Sequence, residues 1–339
     1  MRSRTIAVIA ICGLLCLALP AAGCGGGGGG GDTGEGEDSF LLSLAGRVDV
    51  SRMMEVIQYL AGEGFQGRAA GTPETADLED YLERRFREMG LKPAEPLGLT
   101  GYRQEFPVPA DRCFLENPPS GGQAVTAANI LGMIPGTSGD LVILTANYDG
   151  LGKDPQSGSF YPGADYNASG VSAVMEAAAV LSSLEETPGN GIVFALLGAE
   201  ECGGFGASAL AETLEERGLR SRVRVINLEG LGAGEGDYMD VWDLNYRKNR
   251  VTVQALEQAA AQLGVVLEIG GQDPGSSAGT FFLYHVPAVT CDWAWFRRTE
   301  HPDFHQTSDT PDRINREDLG KAARVVVAAA WELANTPLQ

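Results

Sequence analysis

The stretch Ile192-Val193-Phe194-Ala195-Leu196-Leu197-Gly198-Ala199-Glu200-Glu201 determines how the rest of this sequence folds. Its first six residues are all apolar, which is typical of a strand buried on both faces of a parallel sheet. A glycine ends the strand, and after one alanine come two adjacent acids. Ligand sites in parallel sheets lie outside the carboxyl ends of the strands, so the pair Glu200-Glu201 is the first candidate for a functional site.

Apolar runs of this kind recur along the chain and alternate with segments of helical periodicity. We predict strands over residues 102–108, 141–146, 192–197, 223–228 and 288–291, and helices over residues 51–60, 72–90, 168–181, 205–217, 251–263 and 319–333. This alternation favours an α/β fold. We expect a single globular domain with a mostly parallel central sheet and helices on both faces.

The composition excludes several classes of protein. With 44% hydrophobic residues among 339, the chain can bury a large core, so it is neither disordered nor fibrous, and one domain suffices. Its 25 Lys and Arg residues stand against 45 Asp and Glu, which gives a formal net charge of −20. Because phosphate backbones and anionic head groups repel so acidic a chain, we expect no nucleic acid as a partner.

The amino terminus predicts export. Arg2 and Arg4 precede an apolar run over residues 6–19, which is too short to span a bilayer with ordinary flanks. The small residues before Cys24 resemble the end of a bacterial lipoprotein signal, so Cys24 is expected to carry lipid. The alternative is a plain secretory signal. In both cases the protein is exported, and in the first it is anchored in the bacterial cell envelope through lipid alone.

These signals divide the chain into three parts. Residues 1–23 are expected to be the signal peptide, residues 24–39 the lipidated Cys and a glycine-rich flexible tether, and residues 40–339 the globular domain. In that domain Cys113, Cys202 and Cys291 allow at most one internal disulfide. No Cys-x-x-Cys pair is present in the mature sequence, which argues against a thiolate zinc knuckle.

Further polar residues follow the ends of the predicted strands or lie in a late loop. The set consists of Asn147, Asp149, Asp165, Glu200, Glu201, Glu229, His301 and His305. Carboxylate oxygen together with imidazole nitrogen is a typical ligand mixture for catalytic zinc, which takes three protein ligands and leaves a position for water. Of the adjacent pair Glu200-Glu201, one acid would bind metal while the other would act as general base.

Short motifs along nearly the whole mature chain, taken in order, resemble metallopeptidase family twenty-eight, the zinc aminopeptidases related to glutaminyl cyclases. The motifs are Gly67-Arg68-Ala69-Ala70-Gly71-Thr72-Pro73, Gly90-Leu91-Lys92-Pro93, Asn129-Ile130-Leu131-Gly132, Gly163-Ala164-Asp165, Asn167-Ala168-Ser169-Gly170, Ala199-Glu200-Glu201, His301-Pro302-Asp303-Phe304-His305 and Ser308-Asp309-Thr310. Each motif is weak alone, but the combination is specific.

The resemblance implies a role for each candidate residue. Asp165 would bridge two metals, and Glu201 with His305 would complete the first of them. The second metal would be bound at Asn147 and Glu229. In the same family, Asp149 corresponds to an acid that orients the ligand at position 147.

The chain departs from the family pattern around the second metal. Asn147 replaces a His, Tyr166 replaces a second Asp, and Glu229 replaces an Asp; Ser276-Ser277-Ala278 stands where the family often has Ser-Asp-His. We therefore predict one firmly held zinc at Asp165, Glu201 and His305. The second position should be empty, weak or filled by a harder divalent ion, because amide and carboxylate oxygens suit such ions better than zinc.

Three functions follow from this sequence. The leading hypothesis is a zinc-dependent aminopeptidase that hydrolyses the amino-terminal bond of peptides outside the cytoplasm, with Glu200 as general base. The second is aminoacyl transfer of the glutaminyl-cyclase kind. The third is a catalytically inactive lipoprotein that uses the same fold to bind peptides or a partner protein.

Overall fold

The computed structural model describes residues 34–113, 123–271, 275–294 and 301–338. The predicted signal peptide and Cys24 lie outside these residues, so their assignments stay predictions. None of the helices formed by the described residues is long and apolar enough to cross a bilayer.

Helices and strands alternate along the chain as predicted. The helices in the described residues are α1 (Gly34–Ala45), α2 (Val50–Leu60), α3 (Pro73–Glu88), α4 (Gly170–Ser182), α5 (Phe205–Glu216), α6 (Tyr246–Leu263), α7 (Ser277–Leu283) and α8 (Arg316–Asn335). The strands are β1 (Arg103–Pro109), β2 (Ala124–Ile134), β3 (Leu141–Asn147), β4 (Gly191–Leu197), β5 (Val223–Leu228), β6 (Met239–Asp243), β7 (Leu267–Gly270) and β8 (Ala288–Trp293).

These strands form one mixed sheet in the order β1-β2-β4-β3-β5-β8-β6-β7. Its centre is parallel: β3 pairs with β4 and β5, and β5 pairs with β8. The antiparallel pairs β1–β2, β2–β4 and β6–β8 lie on either side of that centre. The predicted fold class is confirmed, although the sequence patterns predicted neither β2, β6 and β7 nor α7.

The central strands are buried on both faces, as their apolar runs predicted. Phe194 packs in a core formed with helices α2, α4, α6 and α8, whereas its neighbour Ala195 packs in a core formed with α5 and α7. The helices therefore cover both faces of the sheet. Because the two faces are closed, the free edge at the carboxyl ends of β3, β4 and β5 is the place where a ligand has access.

Helix α1 begins inside the segment that we predicted as a flexible tether. The difference has a packing cause, because α1 lies against α8 and the ring of Phe40 meets that of Trp331 at a centroid distance of 5.9 Å. Burial of Leu44 in the main core adds to this anchor. The part of the tether before residue 34 lies outside the described residues.

A disulfide joins Cys113 to Cys202 across 89 residues, and Cys291 is a free, buried thiol. This agrees with the limit of one internal disulfide that the cysteine count sets. Cys202 directly follows Glu201, so the bond ties the loop that carries both candidate acids to the segment after β1.

Removing this bond is expected to destabilise the fold. For Cys113→Ser with Cys202→Ser we expect a loss of about 2–4 kcal/mol in the free energy of unfolding, because the closed loop is long and its constraint on the unfolded chain is large. Urea unfolding of the oxidised protein and the double variant measures the difference. Under reducing conditions the unfolding curves of the wild type and the double variant should coincide. If they still differed, the loss of stability would not come from the missing disulfide.

Candidate functional site

The candidate residues meet at the carboxyl ends of the central strands. Asn147 ends β3, Glu200 and Glu201 follow β4, and Glu229 follows β5. They line a cavity of about 570 Å³ that opens at this edge of the sheet. The described residues of its wall are Asn147, Tyr166, Glu200, Glu201, Gly203, Gly204, Glu229, Gly275, Ser277, Thr280, Asp292, His301, Phe304 and His305.

A buried carboxylate holds the loop that carries Glu200 and Glu201. Asp149 accepts the backbone N–H of Glu200 at Oδ1 (3.0 Å) and that of Glu201 at Oδ2 (3.1 Å). Burial, together with the charges of Glu201 and Glu200, raises the pKa of Asp149 well above its usual range. In this structure the carboxylate of Asp149 fixes the loop, and Asn147 contacts its backbone carbonyl at 3.4 Å, so its role in orienting a ligand at position 147 stays a prediction.

The carboxyl group of Glu200 lines the cavity and is held by two hydrogen bonds. Its Oε1 accepts the N–H of Ala207 and its Oε2 accepts the hydroxyl of Ser277, both at 2.6 Å. Burial raises the pKa of Glu200 to about 7, although both hydrogen bonds act in the opposite direction. A carboxyl group with this pKa exists in both protonation states near neutral pH, which suits general acid–base chemistry.

The side chains of Glu201 and His305 lie next to each other in the cavity wall. His305 Nε2 lies 3.5 Å from Glu201 Oε2, and this nitrogen is buried without a hydrogen-bond partner in the described residues. The imidazole stacks on Phe304 at a centroid distance of 3.8 Å. Two of the three predicted zinc ligands are therefore brought together.

The third predicted ligand, Asp165, is turned away from this pair. Its Oδ1 accepts the N–H of Gly232 at 2.7 Å, and its Oδ2 lies 3.0 Å from Nδ1 of His301. Nε2 of that imidazole lies 2.7 Å from the carbonyl oxygen of Trp293, which can only accept. Nε2 therefore carries a proton, which it donates to this carbonyl. Burial lowers the pKa of His301, but the hydrogen bond and the charge of Asp165 outweigh it, and the net shift is upward.

The residue that faces the cavity in this loop is Tyr166. Its ring meets Phe304 edge-on at 4.6 Å and His305 at 5.2 Å between centroids. Its hydroxyl lies 3.3 Å from Oε2 of Glu229. The side chain of Tyr166 thus occupies the space between Glu229 and the Glu201–His305 pair. At the position where the family usually has its second Asp, this chain presents a phenol instead of a carboxylate.

The residues predicted for a second metal are also engaged with protein partners. Oδ1 of Asn147 accepts a hydrogen bond from Nδ2 of Asn167 at 2.7 Å. Oε1 of Glu229 accepts from Nδ2 of Asn227 at 2.7 Å and from the N–H of Ser277 at 3.4 Å. The contact with Asn167 thus uses one of the two lone pairs of the Asn147 oxygen.

The donor set does not fit the predicted zinc centre. In the described parts of the chain, no three His, Cys, Asp or Glu side chains are close enough to hold a metal ion together. Catalytic zinc takes three protein ligands, and Glu201 with His305 supplies two. The firm site at Asp165, Glu201 and His305 therefore stays a prediction, since in this structure the two oxygens of Asp165 contact Gly232 and His301 instead.

Two further residues organise the site and received no role from the sequence. The carboxylate of Asp309 accepts the N–H groups of Asp165 at 2.8 Å and Tyr166 at 3.0 Å, which fixes their loop. Arg68 is buried and donates to four backbone carbonyls beneath the cavity. The sequence offered one signal for each: both lie in motifs shared with the family.

Most of the described sheet and the candidate site lie in a region that matches a known protein family. Residues 129–330, more than half of the chain, match peptidase family M28. The chain belongs to this family. The sequence resemblance is thereby confirmed, and the M28 match together with aminopeptidase relatives supports a peptidase.

Similar proteins include an aminopeptidase relative and solved structures that share the fold. Aminopeptidase YwaD of Bacillus subtilis is 29% identical over 196 residues, which cover 57% of this chain but only 41% of YwaD. The zinc aminopeptidase BSAP of Bacillus subtilis has a similar fold, with a TM-score of 0.68 and 19% identity over 85% of this chain and 96% of BSAP. Fimbriiglobus ruber glutaminyl cyclase also has a similar fold, with a TM-score of 0.65 and 20% identity. The match covers 84% of this chain and 95% of the cyclase.

Replacing Glu200 tests how much the burial of its charged form lowers the free energy of unfolding. The raised pKa means that Glu200 favours the fold below its unfolded pKa near 4.5, and that this contribution is lost as pH rises through about 7. Glu200→Gln keeps partners for both hydrogen bonds and has no charge to bury. We expect its free energy of unfolding to exceed that of the wild type by about 1–3 kcal/mol at pH 8, with little difference at pH 4.

Urea unfolding at several pH values measures this dependence. The matched control is Glu216→Gln, which removes an exposed carboxylate at the end of α5 and should leave the pH profile unchanged. Parallel profiles for wild type and Glu200→Gln would contradict the assigned pKa.

Proposed function

We propose that this protein binds the amino-terminal residue of a peptide outside the cytoplasm, in an aminopeptidase-type cleft that lacks a complete zinc centre. The observation that carries this proposal is the placement of the loop residues 165 and 166. The carboxylate of Asp165 pairs with the imidazole of His301, and Tyr166 lies between Glu229 and the imidazole of His305.

The charge of the cleft supports an ammonium group as ligand. Four carboxyl groups line it, those of Glu200, Glu201, Glu229 and Asp292. The imidazoles of His301 and His305 lie beside them, and the described residues of the wall include neither Lys nor Arg. A peptide amino terminus placed among these groups gains charge-assisted hydrogen bonds. The rings of Tyr166 and Phe304 give the cleft an apolar wall suited to the first side chain.

A single-zinc aminopeptidase is the second candidate, and one observation favours it. His305 Nε2 has no hydrogen-bond partner in the described residues, faces Glu201, and lies in the same cavity as Glu200. The aminopeptidase relatives support the same function. Aminoacyl transfer of the glutaminyl-cyclase kind is supported only by the similarity of fold.

Export to the cell envelope is part of the proposal. The signal-like segment and Cys24 support it from the sequence, with lipid at Cys24 as the anchor. The bond between Cys113 and Cys202 supports it from the structure, because disulfides persist in oxidising compartments and are rare in the cytosol.

Binding of peptides with free and blocked amino termini tests the main proposal. In the presence of a chelator, we expect saturable binding of a peptide with a free amino terminus. N-acetylation should weaken binding on the order of tenfold or more, because the ammonium group provides the charge-assisted contacts. Calorimetry on protein purified after expression of the full chain measures both affinities. Glu229→Gln should reduce the affinity for the peptide with a free amino terminus. The difference in affinity between the free and the N-acetylated peptide should then become smaller.

Metal content and hydrolysis separate the candidates in the same sample. We expect less than one zinc per chain by elemental analysis and no cleavage of aminoacyl amides after zinc is added. Chelator-sensitive cleavage would overturn the main proposal in favour of the single-zinc aminopeptidase. Ammonia released from glutaminyl peptides would instead identify a cyclase.

Restoring two of the residues in which the chain departs from the family pattern tests why the metal centre is incomplete. We expect Asn147→His with Tyr166→Asp to bind about one zinc or more per chain, because a carboxylate at position 166 faces Glu201 and His305 and completes three ligands. Elemental analysis after dialysis measures this gain. Tyr166→Phe is the control and should bind no more zinc than the wild type. Equal zinc in all three folded proteins would contradict the assignment of position 166.

A further inference from the structure

A second cavity lies at the opposite end of the central strands from the cleft. Its volume is about 770 Å³, and its wall comes from the turn before β5, the first turns of α6 and the turn before β8. Arg224 near the start of β5 belongs to this cavity, and Glu229 just after its end belongs to the cleft. Five residues of extended chain separate them by roughly 16 Å, so the two sites are distinct.

Positive charge is concentrated in this second cavity, which we call the basic cavity. The charged residues that line it are Arg220, Arg224, Arg247, Lys248, Arg250 and Glu215. Five cations and one acid give a formal local charge of +4, in a chain whose net charge is −20. The one acid is already paired, since Oε1 of Glu215 lies 3.0 Å from Nη1 of Arg220.

Two of the arginines have no partner within the described chain. Arg247 and Arg250 are exposed, and neither forms a hydrogen bond or ion pair with a described residue. Lys248 donates from Nζ to the carbonyl of His285 at 3.2 Å, a contact that leaves its charge uncompensated.

The position of these cations on α6 is unfavourable in the absence of a ligand. Arg247, Lys248 and Arg250 lie near the amino terminus of the helix, where the helix dipole favours negative charge. The first turn contains no acid, and the side chain of Asn245 does not cap it. An anion in the cavity would remove this mismatch between the dipole and the side-chain charges.

Arg224 brings a buried charge to the same place. Its side chain is 8% exposed, and its guanidinium donates to the backbone carbonyls of Ser221, Val223 and Leu338. Its Nε is buried without a hydrogen-bond partner in the described residues. Burial lowers the pKa of Arg224, and the charge of Asp140 only partly offsets this effect. A buried guanidinium without a carboxylate partner favours a ligand that supplies negative charge.

We propose that the basic cavity binds a phosphate group. Guanidinium groups match the oxygens of a phosphate with paired hydrogen bonds, and several cations around one cavity suit a dianion. The acids elsewhere on the chain do not prevent this, because at physiological ionic strength charges more than about 8 Å away are largely screened. The volume of the cavity exceeds that of free phosphate, so the group belongs to a larger molecule, either a soluble phosphate ester or a lipid head group.

Inorganic phosphate is the first probe. The test uses the full chain with Cys24→Ser, so that lipid on that residue cannot contribute to binding. We expect phosphate to bind saturably in calorimetry, with an affinity that falls as NaCl is raised. Arg247→Gln with Arg250→Gln should weaken binding on the order of tenfold, because it removes two cations with charge-assisted contacts to the ligand.

A matched control separates this site from general charge effects. Arg84→Gln with Arg87→Gln removes two exposed arginines from α3, and its phosphate affinity should equal that of the wild type. All four substituted residues are exposed, and circular dichroism confirms that each variant is folded. Absence of saturable phosphate binding, or equal weakening by both double variants, would overturn the proposal.

Vesicles identify the source of the phosphate group. Cosedimentation with phosphatidylglycerol vesicles, but not with phosphatidylcholine vesicles, and its loss in Arg247→Gln with Arg250→Gln would assign a lipid head group. Phosphate binding without vesicle binding would assign a soluble phosphate ester. Both results support the basic cavity as a phosphate site.

Discussion

The site depends on one buried guanidinium. Arg68 donates from Nη1 to the carbonyls of Leu60 and Pro162, from Nη2 to that of Gly163 and from Nε to that of Tyr148, at 2.6–3.0 Å. It thereby joins the end of α2, the loop after β3 and the loop that presents residues 165 and 166. Burial lowers the pKa of Arg68 only to about 10, so the group stays charged, and the negative charges of Asp309, Asp149 and Glu201 help to keep it so. A neutral side chain could not hold these three segments and offset these acids together.

Much of the framework could be predicted because it is encoded by local patterns. The apolar run of β4 indicated a strand closed on both faces, and the acids after β3, β4 and β5 indicated which edge is functional. Strand β2 escaped prediction because its sequence, from Ala124 to Ile134, mixes small and polar residues with apolar ones. Its pairing with β1 and β4 is a property of the whole sheet, which local sequence does not carry.

The direction of each side chain at the site was beyond sequence reasoning. Asp165 and Tyr166 are adjacent, and residue types alone cannot tell which of the two faces the cavity. The answer depends on partners that are distant in sequence: Gly232 and His301 bind one side chain, and Phe304 packs on the other. The sequence did not predict the basic cavity either, because its cations come from segments that are separate in sequence and meet only in the fold.

The disulfide also couples the loop that carries Glu200 and Glu201 to the redox conditions around the protein. Glu200 and Glu201 are held by the carboxylate of Asp149 on one side and by the sulfur of Cys202 on the other. Inside a reducing cell the second of these links is missing, and hydrogen bonds alone restrain the loop. The cleft is therefore expected to be held less tightly when the bond is reduced, because the acids that line it lose one of their two attachments.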